Sequence, residues 1–129
     1  MPYSLPVFSQ SNNDLYVLFG QRNYEEAIGG AKQMMDKNNA NANSYEITGL
    51  AYIMISKFDS AVIFLRQAID LDKDSSSTSG RAHFDLGYAY YYSDEKEKGI
   101  AELQKCITLG MTENSVKGAR NFLDCLRWI

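Results

Sequence analysis

Ala27 and Ala61 lie 34 positions apart in matching surroundings, Asn23-Tyr24-Glu25-Glu26-Ala27-Ile28 against Lys57-Phe58-Asp59-Ser60-Ala61-Val62. The pattern returns at Lys96-Glu97-Lys98-Gly99-Ile100, with Gly99 38 positions beyond Ala61. A unit of this length is a helix pair, too small to bury its own apolar face, so a stable fold requires the units to stack into one continuous core. The 129 residues leave room for three units and one further helix, which predicts a single domain over residues 1–129. The expected repeats span about 8–41, 42–75 and 80–111.

Apolar spacing and capping residues place the helices. The first helices of the pairs read as Ser11 to Phe19, Asn43 to Ile55 and Arg81 to Tyr92, and the second helices as Tyr24 to Asn38, Phe58 to Leu71 and Glu95 to Leu109. Asn23 with Glu26, Ser56 with Asp59 and Asp94 with Glu97 set a capping side chain three residues before an acidic one, and are expected to open the second helices. A last helix is predicted from Glu113 to about Trp128, after Gly110 and the N-cap candidate Thr112. Val116, Ala119, Leu123 and Leu126 form its apolar stripe, suited to cover the open end of the stack, and Lys117, Arg120, Asp124 and Arg127 its polar outer side. Asp74-Ser75-Ser76-Ser77-Thr78-Ser79-Gly80 reads as a longer surface turn that accounts for the 38-residue spacing.

At the residue level the repeats resemble the tetratricopeptide family, whose pattern is Trp-x2-Leu-Gly-x2-Tyr, then Ala-x3-Phe, then Pro. The second repeat matches through Tyr45, Thr48, Gly49 and Tyr52 with Ala61 and Leu65, and the third through His83, Leu86, Gly87 and Tyr90 with Gly99 and Leu103. The first departs further, with Leu15 at the Gly position, Leu18 at the Tyr position and Ala27-x3-Ala31; none has the closing Pro, and Lys73 stands there in the second. Gly49 is expected to face Ala61, and Gly87 to face Gly99, where the two axes of a pair cross closely, with Tyr52, Phe58 and Leu65 filling the space around the crossing.

The resemblance implies an all-α, right-handed α-solenoid of three repeats with a C-terminal capping helix, in which the first helix of each pair lines a concave groove. By the same resemblance that groove carries Tyr16 and Phe19, then Glu46, Leu50, Ile53 and Met54, then Arg81, Phe84, Tyr88, Tyr91 and Tyr92. Family members that clamp a chaperone C-terminal carboxylate use Lys, Asn and Arg there; this chain has Asn12, Tyr16, Ile47, Arg81 and Asp85, of which only Arg81 fits. An aromatic groove with little positive charge suits an apolar or helical segment of a protein partner. The alternative is self-association into a homodimer through the groove or the last helix.

Other functions lack residues to carry them. The 13 basic and 16 acidic residues give a net charge of −3 with no basic run, which argues against nucleic acid as a partner. No apolar run reaches the roughly 20 residues a membrane span needs. Cys106 and Cys125 have neither Cys-x-x-Cys spacing nor a companion His; both are expected to be buried thiols, with pairing left open for an exported chain. His83 falls on a packing position, and Asp70-Leu71-Asp72-Lys73-Asp74 lacks the Gly and final Glu of a calcium loop. No catalytic, cofactor or metal site is therefore expected. Leu5-Pro6-Val7-Phe8-Ser9-Gln10 resembles the end of a bacterial secretory signal without its charged and apolar regions, so a cytoplasmic location is favoured and export is left open.

Overall fold

The structure is a computed structural model that describes residues 11–72, 77–109 and 112–126. Among these residues it holds seven helices and no strand: α1 (Asn12–Gly20), α2 (Tyr24–Asp36), α3 (Ala42–Met54), α4 (Phe58–Leu71), α5 (Ser77–Tyr92), α6 (Lys96–Leu109) and α7 (Glu113–Leu126). The bounds follow the sequence reading except at α5, where Ser77–Gly80, expected in a surface turn, form the first helical turn. Packing explains the difference: Gly80 is buried, and Cys106 Sγ of α6 lies 4.0 Å from its carbonyl oxygen. The secretory-like N-terminal motif, the end of the acidic run at Lys73 and Asp74, and Trp128 lie outside the described residues.

The connections within the pairs are built differently from the expected side-chain caps. Ser56 and Asp94 adopt left-handed backbone, with φ of 61° and 67°, as does Arg22 at 63°. Each stands just past a helix end and turns the chain back: Ser56 N–H donates to the Ile53 carbonyl at 2.9 Å and Lys57 N–H to the Tyr52 carbonyl at 2.9 Å. The same pair of bonds recurs at Arg22 and Asn23. This reciprocal closure satisfies the last carbonyls of the first helix. Lys57 rather than Ser56 is then the N-cap of α4, and Asn23 caps α2 without a side-chain bond, its amide donating instead to Gln21 Oε1. Side-chain caps occur at Ser11, Asn41 and Thr112; at Asn41 the carboxamide accepts from Ser44 N–H while Ser44 Oγ accepts from Asn41 N–H.

Three clusters make one interior running along the stack. Leu15, Ala31, Met34 and Ile47 join the first pair to the second; Ile28, Ala51, Tyr52, Ala61, Leu65, Ala68, Ala82, Leu86, Ala89 and Tyr90 fill the middle; Leu103 and Cys106 of α6 meet Ala119 of α7. The pair crossings are as tight as their small residues imply. A Cβ on Gly49 would stand 2.5 Å from Leu65 Cγ and 3.3 Å from the Ala61 carbonyl oxygen, and one on Gly99 would stand 2.6 Å from the Gly87 carbonyl oxygen. Phe58 differs from expectation. Its ring turns away from the Gly49 crossing and stacks on Tyr92 of the next pair at 5.5 Å.

The end of the stack also departs in part from the sequence reading. Ser115 and Ala119 are the buried residues of α7, and Phe122 joins Leu123 against the Leu103 cluster, whereas Val116 and Leu126 are only half-buried. Lys117, Arg120 and Asp124 are exposed as expected. Cys106 is buried, but Cys125 faces solvent; both are free thiols.

Candidate functional site

The odd-numbered helices form one layer. α1 touches α3, α3 touches α5, and α5 touches α7, whereas α2, α4 and α6 each reach only helices of the odd layer. Helices that crowd on one side and splay on the other make a curved stack, with the odd layer on the inside of the curve. An open cleft of about 400 Å³ lies in that layer, lined by Tyr16 and Phe19 of α1, Glu46, Ile47 and Leu50 of α3, Arg81, Phe84 and Asp85 of α5, and Asn114 and Ser115 of α7. Helical periodicity puts these side chains on one face: Glu46 and Leu50 are four apart, as are Arg81 and Asp85.

Apolar walls enclose charged groups in this cleft. Tyr16 is 40% exposed, while Phe19 packs edge-on against Tyr24 at 5.1 Å. Phe84 leans into the Leu103 cluster, so close to α7 that a Cβ on Gly118 would meet its ring at 3.2 Å. Glu46 is 1% exposed and pairs with Arg81, whose Nη2 lies 3.3 Å from Glu46 Oε1. Asp85, 9% exposed, is hydrogen-bonded to Glu46. Burial first, and then the charge of Glu46, pushes the Asp85 carboxyl well above the ordinary carboxylate range. Burial also raises Glu46, against the pull of Arg81, and burial followed by Glu46 raises the Tyr16 phenol.

Beyond the cleft the same face carries a second aromatic group. Tyr88 meets Tyr92 at 4.7 Å and Phe122 of α7 at 5.5 Å, and Tyr91 meets Phe122 at 5.5 Å with Lys96 Nζ 5.5 Å from its ring centre. Burial, then Tyr92, raises the Tyr88 phenol. Tyr92 and Met54 are about half exposed, and Ile53 packs against the central cluster.

Of the eleven residues expected on the groove, Tyr16, Phe19, Glu46, Leu50, Arg81 and Phe84 therefore meet around one cleft, and Tyr88, Tyr91 and Tyr92 form a separate group. Sequence reasoning set Ile47 and Asp85 at clamp positions of the groove, but missed the contact between Asp85 and Glu46 and the contributions of Asn114, Ser115 and Phe122. The Arg81–Asp85 spacing and the three-residue step from Ala119 to Phe122 were available signals; the arrival of α7 beside α5 was not. His83 is buried against Glu102 of α6, with its Nδ1 at the carboxylate, in keeping with a packing position. Among the described residues no His, Cys, Asp or Glu group is arranged to hold a metal ion.

Helix pairs stacked side by side around a shared interior define an α-solenoid of helical repeats. The sequence model of the tetratricopeptide repeat matches residues 80–109, the third pair, and supports a repeat of that family there. Repeats of this family generally mediate protein–protein interaction, binding proteins or peptides, and are typically not enzymes. No curated protein matches the sequence. No described helix is long and apolar enough to cross a membrane.

Proposed function

We propose that the chain is one interaction domain of three repeats closed by α7, and that it binds an apolar or helical segment of another protein along the α1–α3–α5–α7 face. The observation that carries this reading is the open cleft with Tyr16, Phe19, Leu50 and Phe84 as its walls. Glu46 and Arg81 are ion-paired at its floor, so an entering apolar side chain gains buried area without stranding either charge. Tyr88, Tyr92 and Met54 extend the apolar surface along the face, and aromatic residues at such positions are the usual anchors of interface energy.

Selection of a displayed random-peptide library on the wild-type domain tests the proposal. Selected peptides are expected to carry apolar residues at helical spacing, and Tyr16→Ala with Leu50→Ala should weaken them tenfold or more, about 1.4 kcal/mol, with little change in melting temperature. Peptides that bind both variants as tightly as wild type would refute the cleft. So would light scattering showing a tight dimer that Tyr16→Ala and Leu50→Ala dissociate, because the cleft would then be filled by a second copy.

A further inference from the structure

Two buried carboxyl groups lie in the cleft with one guanidinium, which pairs with Glu46. Glu46 comes from the second pair, Asp85 and Arg81 from the third, and the Glu46 carboxylate takes both the Arg81 ion pair and the hydrogen bond to Asp85. Were both acids ionised, the trio would hold one uncompensated negative charge on two buried carboxyls, a costly arrangement. One proton between the carboxyls, with the Asp85 hydroxyl donating to Glu46, makes the trio neutral and ties α3 to α5.

Among the described residues that line the cleft, Arg81 is the one cation. α1 presents the Tyr16 hydroxyl, α7 presents Asn114 and Ser115, and α6 presents Cys106, whose thiol is pushed up by burial, then by Glu102 and Asp85. Glu102 is itself engaged by His83 of α5. From α2, Lys32 lies over the Tyr52 ring of α3 at 5.6 Å, and Ile28 joins Ala61, Leu65 and Ala68 of α4 in the core packed against α3 and α5.

We propose that Glu46, Asp85 and Arg81 form a proton-operated latch between the second and third helix pairs. With one proton held between the carboxyls, α3 and α5 are tied at the cleft floor. Loss of that proton sets two carboxylates against each other and loosens the cleft. The latch stands independently of any ligand; only its consequence, docking that weakens as the latch opens, rests on the reading of the cleft as a binding site.

The linkage has a definite sign. A carboxyl whose folded-state pKa is raised binds its proton more tightly in the native state, so folding stability falls as pH rises from the ordinary carboxylate range to the raised value. Across that window the folding equilibrium changes by up to about tenfold per pH unit. Asp85→Asn should flatten this slope, since its amide donates to Glu46 without titrating.

The deciding experiment is a carbon-detected NMR titration of side-chain carboxyls in the full wild-type chain, without ligand. The Asp85 carboxyl is expected to titrate well above its ordinary range, with amide signals of α3 and α5 moving at the same midpoint, and Asp85→Asn is expected to abolish that movement. Titration of Asp85 in the ordinary range, or α3 and α5 amides that do not follow it, would overturn the latch. The wild-type titration decides even if the variant fails to fold, and neither result depends on whether the peptide selection succeeds.

Discussion

Gly99→Ala and Gly29→Ala add the same methyl group to two helices and should move stability in opposite directions. At Gly29 nothing lies within 4 Å of the new Cβ, so only helix propensity acts, and Ala is favoured over Gly by about 1 kcal/mol. At Gly99 the Cβ would stand 2.6 Å from the Gly87 carbonyl oxygen, 2.8 Å from Tyr91 N and 3.1 Å from Tyr91 Cα. All three are backbone atoms, so no rotamer change relieves the clash, and α6 must move away from α5. Leu103, fully buried beside Gly87, moves with it. Overpacking of this kind costs about 1–3 kcal/mol, against which the propensity gain offsets about 1. Gly99→Ala should thus be about 1–3 kcal/mol less stable than Gly29→Ala, a gap of several degrees in melting temperature for a domain of this size. Thermal and urea unfolding of the two variants beside wild type measure it. Equal upward shifts in both would refute the close crossing of α5 and α6.

Two further substitutions probe other parts of the same reasoning. Ser56 holds φ of 61°, a conformation costing an L-residue about 1–2 kcal/mol, so Ser56→Gly should raise stability by up to about 1 kcal/mol after the entropy of the freer unfolded chain is counted; a lower melting temperature would contradict that turn. Leu65→Ala empties a fully buried site under Gly49 and should cost about 2–5 kcal/mol in urea unfolding, and a loss below 1 kcal/mol would mean the middle core is not packed as described.

The helices were legible because their signals are local. The spacing of apolar residues places α2 to α4 and α6 to within two residues, and the 34-residue period pairs them without reference to any contact. The turns misled because two chemistries compete at the same residues. Ser56 and Asp94 have side chains suited to capping, but reversing the chain in so few residues demands a left-handed residue there, and the backbone requirement won. Ser77–Gly80 similarly carry turn-forming residues, and contact with α6 drew them into helix.

For the candidate site, the resemblance to tetratricopeptide repeats implied that Tyr16, Glu46, Leu50, Arg81 and Phe84 share one layer, and these residues do meet around the cleft. The sequence also determined that the crossings must be close, because Gly49, Gly87 and Gly99 leave no side chain to hold the axes apart. Only the tertiary structure decided how that layer divides into a cleft and an aromatic group, that α7 supplies Asn114, Ser115 and Phe122 to it, and that Asp85 meets Glu46 across a helix boundary. The physical reason is range: periodicity and propensity act within a few turns of chain, whereas the meeting of two carboxyls 39 positions apart depends on how helices of different pairs settle against a shared core.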